Sequence, residues 1–232
     1  MSSKKVLYLP GDIIEQLDNK DQTIILGNGI VQNEKEQFIA TKVGILQSRG
    51  LASHQQHYWI ENTQRKYIPL VDDLVIGRVT DTHQNEFKLD IGGSFPALLP
   101  VTAFEGYSRK NRTHLEVGAL VYCRVVLANK FMDPELSCIA VSGKSEGFGP
   151  LVDGYCFQCS LSLCRQLLHP QCYVLSQLGK RAAFELAVGL NGRVWVNSTK
   201  PQTTIMITNT LLNSEFLSDQ QIQKFILELF GV

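Results

Sequence analysis

Apolar positions in the middle of this chain come in short runs broken by glycine, proline and asparagine, and the cleanest of these runs alternates residue by residue. In Glu86–Ile91, Phe87, Leu89 and Ile91 share one face while Lys88 and Asp90 take the other, the period of a half-buried strand. Leu74–Val79 precedes it, and Gly92-Gly93 ends it. Pro96–Val101 follows, then a loop holding Tyr107 to His114, then Leu120–Leu127 and Leu136–Val141. Five short strands with glycine punctuation and one long loop predict a five-stranded OB-fold barrel over residues 67–143.

The flanking segments have other patterns. Residues 1–66 carry short β-like pieces at Val6–Leu9, Thr23–Leu26, Lys42–Leu46 and Tyr58–Ile60. Turn signals separate them, among them Pro10-Gly11-Asp12 and Gly27-Asn28-Gly29. Strands this short rarely hold a core alone, so this segment is expected to be a small β-domain that packs against something else. Lys144 to Pro150 has the composition of a linker or tight turn. Residues 150–232 mix periods. Asp153–Ser160, Ala182–Val188 and Arg193–Asn197 are predicted strands, and Ser162–Leu168 and Tyr173–Leu178 short helices. Pro201–Asn213 is a predicted helix with proline in its first turn. The last helix has the strongest signature: Ser218 and Gln221 form a capping box ahead of the stripe Ile222, Phe225, Ile226 and Leu229. The chain is therefore expected to be multi-domain, mainly β plus α+β.

Composition adds bounds. The 232 residues carry 22 Lys+Arg against 22 Asp+Glu, so binding to nucleic acid would have to come from a local patch. No apolar run reaches the length of a membrane span. The polar start, Met1 to Lys5, has no signal-peptide pattern, and a reducing compartment is expected. The six Cys are then expected to be free thiols. Cys156 and Cys159 have the spacing of a zinc knuckle, with Cys164, His169 and Cys172 following, but the second knuckle is missing. Within a predicted strand the two would also point to opposite faces. Buried thiols, no metal and no cofactor are the expectation. His54 and His57 are read as loop residues.

Candidate chemistry concentrates in one run, Arg109-Lys110-Asn111-Arg112, with no acid between Glu105 and Glu116. On a barrel this run falls in the loop between strands three and four, where cations can neutralise phosphates. It equally fits a solvated loop or an arm that pairs with an acidic protein. Lys88 on strand two and Lys130 between strands four and five extend the patch. Tyr107, beside the run, is the preferred base-stacking candidate over Phe87, Phe95 and Phe104. No paired carboxylates, nucleophile elbow, P-loop or zinc-protease motif appears, so no catalytic residue is assigned.

Several stretches are similar to known domains. Asp73-Leu-Val-Ile-Gly-Arg-Val79, Phe87-Lys-Leu-Asp-Ile-Gly-Gly93, Ala97-Leu-Leu-Pro100 and Val117-Gly118 resemble the S1-type RNA-binding domain. The third segment resembles a KH domain carrying Gly189-Leu190-Asn191-Gly192. S1-type followed by KH with Gly-x-Asn-Gly resembles the cap subunits of the RNA exosome, over nearly the whole chain. That resemblance implies a non-catalytic subunit in a hetero-oligomer of the nucleus, nucleolus and cytoplasm. Its amino-terminal domain would dock on a ring of RNase-PH-like subunits beside other cap subunits. Its S1-type domain would guide single-stranded RNA toward a separate 3′→5′ nuclease, and Arg109, Lys110 and Arg112 would map to a pore-facing loop. A purely structural clamp is the competing reading. A phosphorolytic enzyme would need catalytic domains for which this length leaves no room. One departure stands out. A KH domain that clamps RNA carries its Gly-x-x-Gly between two helices; here Gly189, Asn191 and Gly192 lie between two predicted strands. They are expected to have a structural role, with Asn191-Gly192 as a two-residue hairpin turn.

Overall fold

The computed structural model describes residues 6–17, 23–52, 55–62, 66–108, 113–129 and 131–230. The chain divides into two compact units, Met1–Gln64 and Arg65–Val232.

The first unit is all β. Strands β1 (Leu7–Tyr8), β2 (Thr23–Leu26), β5 (Gly44–Ala52) and β6 (Gln55–Glu61) form one sheet in the order β1-β5-β6-β2. β3 (Ile30–Gln32) and β4 (Phe38–Ala40) form a separate hairpin. Ile14, Leu17, Ile30, Ala40 and Ile60 are buried together with Tyr8, a core small enough to explain its weak sequence signal. β5 outruns the predicted Lys42–Leu46. Its polar residues Gln47, Ser48 and Arg49 pair through the backbone with Trp59, Tyr58 and His57, and ladder pairing needs no apolar side chain. His57 therefore lies in a strand, its ring 5.3 Å from that of Trp59. His54 lies outside the described residues.

The second unit contains a closed barrel. Its strands are β7 (Leu74–Thr82), β8 (Glu86–Asp90), β9 (Ala97–Pro100), β10 (Leu120–Asn129) and β11 (Met132–Ser137). They run in the order β11-β9-β8-β7-β10, and β11 pairs with β10 to close the ring. The alternation read in β8 holds: Phe87 and Leu89 are buried, while Glu86, Lys88 and Asp90 are half-buried. Val75, Leu89, Ile91, Ala97, Leu99 and Val121 are fully buried inside. The fifth strand departs from the predicted Leu136–Val141. It starts at Met132 because a tight hairpin follows β10, and Pro134 sits inside it. The register slips between the pairs Leu127↔Glu135 and Asn129↔Met132, so the proline occupies an irregularity where its missing N–H is harmless. The expected linker also departs. Its end enters β12 (Gly149–Leu151), which pairs with β10 as a sixth strand.

The α+β part follows. β13 (Tyr155–Gln158), β14 (Glu185–Gly189) and β15 (Arg193–Asn197) form a sheet in the order β13-β15-β14. The helices are α1 (Leu161–Leu167), α2 (Tyr173–Gly179), α3 (Pro201–Ser214) and α4 (Asp219–Phe230). Ser160 caps α1 by accepting from the Leu163 N–H at 3.0 Å. Gln221 accepts from the Ser218 N–H at 2.9 Å, one half of the capping box. Leu163, Leu178, Val194, Val196, Ile207 and Leu211 build the core between sheet and helices. β14 starts later than predicted because the Arg181 and Ala182 N–H groups close the end of α2 on the Leu178 carbonyl. Cys159 follows β13 rather than lying in it. Among the described residues no helix is long and apolar enough to cross a membrane.

Candidate RNA-binding interface

The basic run Arg109, Lys110, Asn111 and Arg112, and also Lys130, lie outside the described residues. The residues that flank the run are described. Tyr107 packs against the barrel core, its N–H donating to the Phe104 carbonyl at 3.3 Å. Leu115 is buried in the same core. Tyr107 and Leu115, the residues on either side of the run, thus both pack on the barrel. Tyr107 is half-buried there, which limits it as an open stacking platform. His114 is exposed. Phe87 and Phe104 are core residues in edge-to-face contact at 6.2 Å, whereas Phe95 is exposed. Lys88 sits half-buried on β8, opposite Leu98 of β9.

The Gly-x-Asn-Gly segment faces inward. Gly189 pairs with Arg193, so the turn has three residues, not the expected two. Only Gly192, at φ +80°, is left-handed in it. This is a three-residue hairpin with glycine at the position that requires it. Asn191 is buried, and its side chain reaches the barrel. Its Oδ1 accepts from the Ile76 N–H at 3.2 Å. Its Nδ2 donates to the carbonyls of Ile76 at 2.9 Å and Ile91 at 3.0 Å. The Leu190 N–H donates to the Leu74 carbonyl at 2.7 Å. The β7–β8 register starts at Arg78↔Asp90, so Ile76 lies beyond β8's reach. The Asn191 amide therefore substitutes for a ladder partner on the free edge of β7. A Cβ on Gly189 would lie 2.3 Å from the Asn191 Oδ1 and 2.8 Å from the Ile76 nitrogen, so only glycine permits this approach.

The sequence did not single out Arg193, yet it completes this contact. Its guanidinium donates to the Asp90 carbonyl at 2.6 Å and forms an ion pair with the Asp90 carboxylate at 2.5 Å. All the sequence says of it is that it opens β15 immediately after Gly192. Burial alone would raise the Asp90 carboxyl. The Gly92 N–H, the Arg193 guanidinium and the charge of Arg78 outweigh it and hold that carboxyl below its ordinary value. The ion pair therefore adds stability that is complete above about pH 5 and is lost as pH falls through the depressed folded pKa. Asp90→Asn should remove that part of the acid sensitivity, measured as the difference between the two proteins' stability–pH curves below about pH 5. Parallel curves would refute the assignment. Trp195 is also buried at this junction, among Ile76, Ala187, Leu120, Tyr122 and Leu151. Its indole N–H donates to the Asp153 carbonyl at 2.9 Å. Burial pushes the Tyr122 phenol up to about 12, so it stays a neutral donor to the Val188 carbonyl at 3.3 Å.

The turn between α1 and α2 stands where a clamping KH domain holds phosphates. Its amides are engaged. The His169 N–H donates to the Gln166 carbonyl, the Cys172 N–H to the His169 carbonyl, and the Gln171 N–H to the His169 Nδ1. Pro170 has no N–H. Among the described residues no three His, Cys, Asp or Glu side chains gather as a metal set.

Comparison with known proteins agrees with this architecture. A family model described as exosome complex component RRP40, S1 domain, matches residues 67–149, and a KH domain model matches residues 154–202. A Dictyostelium discoideum protein described as a candidate exosome complex component rrp40 is 43% identical over 229 residues, 99% of this chain and 94% of that protein. The exosome complex component rrp40 of Schizosaccharomyces pombe is 40% identical over 96% of this chain and 93% of its own length. A crystal structure described as a candidate exosome complex RNA-binding protein shares the fold, with a TM-score of 0.58 at 22% identity over 70% of this chain and 96% of that one. A barrel of the S1 type, joined through Gly-x-Asn-Gly to a KH-like sheet and matched at this identity over nearly its full length, places the chain in the family of exosome complex component RRP40, whose members are non-catalytic RNA-binding cap subunits with S1 and KH domains.

Proposed function

We propose that this chain guides single-stranded RNA into the exosome channel through the loop of its S1 barrel, for 3′→5′ degradation and processing by a separate nuclease. Arg109, Lys110 and Arg112 contact phosphates in this reading, with Lys88 and Lys130 extending the patch and Tyr107 bordering it. The first unit docks on RNase-PH-like ring subunits, next to other cap subunits. The complex works in the nucleus, including the nucleolus, and in the cytoplasm. The observation that carries the reading is the acid-free basic run bracketed by Tyr107 and Leu115, both packed on the barrel. The KH-like part braces the barrel instead of clamping RNA, since Asn191 and the 169–172 amides already have partners within the chain.

The test is the salt dependence of binding to a single-stranded oligonucleotide. Each neutralised phosphate adds about −0.7 to the slope of log K against log salt. Three contacts give a slope of about −2, or roughly a 20-fold loss between 50 and 200 mM salt. The variant Arg109→Glu, Lys110→Glu, Arg112→Glu should flatten it. A parent slope near zero would instead favour a structural clamp whose basic loop meets an acidic protein.

A further inference from the structure

The chain holds two thiol pairs of similar spacing and very different access. Cys123 and Cys138 are sealed in the barrel core with their sulfurs 3.6 Å apart. Cys159 and Cys164 lie at the corner between β13 and α1 with their sulfurs 3.3 Å apart. Cys164 is fully buried, but Cys159 is partly open to solvent. A disulfide needs an S–S distance of about 2.05 Å, so each sulfur at this corner would move by roughly 0.6 Å. Both residues are firmly placed. The Cys159 N–H donates to the Gly192 carbonyl at 2.8 Å, and Cys164 sits in the helix that Ser160 caps.

We propose that Cys159 and Cys164 are an oxidative modification site that closes to an intramolecular disulfide with a low-molecular-weight disulfide as oxidant. Neither thiol has a part in RNA contact or in the Asn191 junction. The geometry divides the roles. Cys159, the accessible sulfur, attacks one sulfur of the oxidant RSSR while Cys164 holds the shared proton. A Cys159–S–SR bond forms and RS⁻ leaves. That thiolate takes the Cys164 proton, and the Cys164 thiolate then attacks the Cys159 sulfur. The second RS⁻ leaves and takes a proton from solvent. Two protein thiols are oxidised and one RSSR is reduced to two RSH. In the resting pair the Cys159 S–H donates to Cys164, which holds Cys164 below its ordinary pKa and, with burial, pushes Cys159 up, so the proton crosses this 3.3 Å contact to Cys164 before Cys159 attacks. Cys123 and Cys138 have the proximity without the access, and burial pushes the Cys123 thiol well up.

The corner is continuous with the Gly192 turn. The Cys159 carbonyl oxygen would lie 2.9 Å from a Cβ on Gly192. Closure therefore stiffens the strand–helix corner behind the turn that carries Asn191.

The experiment incubates the full-length native chain with oxidised glutathione, blocks remaining thiols with an alkylating reagent, and reads peptide masses. The expected product has lost about 2 Da, the two hydrogens of one disulfide. It carries a Cys159–Cys164 link and four alkylated cysteines. Cys159→Ser should abolish the link. Cys164→Ser should stop the reaction at a stable glutathione adduct on Cys159. A link between Cys123 and Cys138, an adduct that stays on Cys156 or Cys172, or six alkylated cysteines after prolonged exposure would each overturn the proposal.

Discussion

Asn191→Ala is expected to destabilise the second unit by about 3 kcal/mol, read as a lower midpoint in chemical denaturation at unchanged slope. The cost comes from the backbone groups the substitution strands. Asn191 makes three hydrogen bonds to the barrel backbone. Alanine leaves the Ile76 N–H and the Ile91 carbonyl without the partner they have now. A buried polar group left unpaired costs about 1–3 kcal/mol. The Ile76 carbonyl keeps a longer bond from Arg193 at 3.3 Å, so it contributes less. Asn191→Asp separates hydrogen bonding from size. The shape is kept and one oxygen can still accept from Ile76, but the other would face two carbonyl oxygens. Aspartate should therefore be at least as damaging as alanine. If aspartate is tolerated, Asn191 is a turn residue and not a ladder substitute.

The second large effect is at Trp195. Trp195→Ala is expected to cost about 3–5 kcal/mol, because a large buried ring leaves a cavity that its neighbours fill only partly. Its neighbours come from both sheets: Ile76, Leu120 and Tyr122 on the barrel side, and Ala187 and Cys156 on the other. Trp195→Phe should recover most of the loss and retain a deficit of about 1 kcal/mol for the Asp153 carbonyl. Thermal or denaturant unfolding measures both. A loss below about 1 kcal/mol for alanine would mean that the two sheets are not held together by this ring. Asn191 and Trp195 serve one junction, so the double variant should cost less than the sum of its parts.

Much of this architecture was legible because the strands alternate. β8 could be read from Phe87, Leu89 and Ile91, and β15 matches its predicted bounds, Arg193–Asn197. The helices were read to within about a residue, the usual uncertainty at helix ends. What escaped were features set by partners. The β3–β4 hairpin has strands of three residues, too short to show a period. β5 continues through polar residues because β6 lies beside it. The fifth barrel strand hid behind Pro134, which ordinarily argues against a strand. The basic loop was legible as charge, and the packing of its flanking residues Tyr107 and Leu115 became apparent only in the barrel. The Gly-x-Asn-Gly motif could be placed between strands from the sequence. That Asn191 reaches Ile76 and Ile91, 115 and 100 residues away, has no local signature. Nor does the pairing of Arg193 with Asp90, 103 residues apart.

We have proposed that the S1 barrel meets RNA through Arg109, Lys110 and Arg112 in the assembled complex. Ultraviolet cross-linking of a labelled single-stranded RNA to the reconstituted exosome tests it directly, with this subunit carrying either its own residues or the three glutamate substitutions. Cross-linking to this chain should fall strongly in the substituted complex, with assembly unchanged. Equal cross-linking in the two complexes would contradict it.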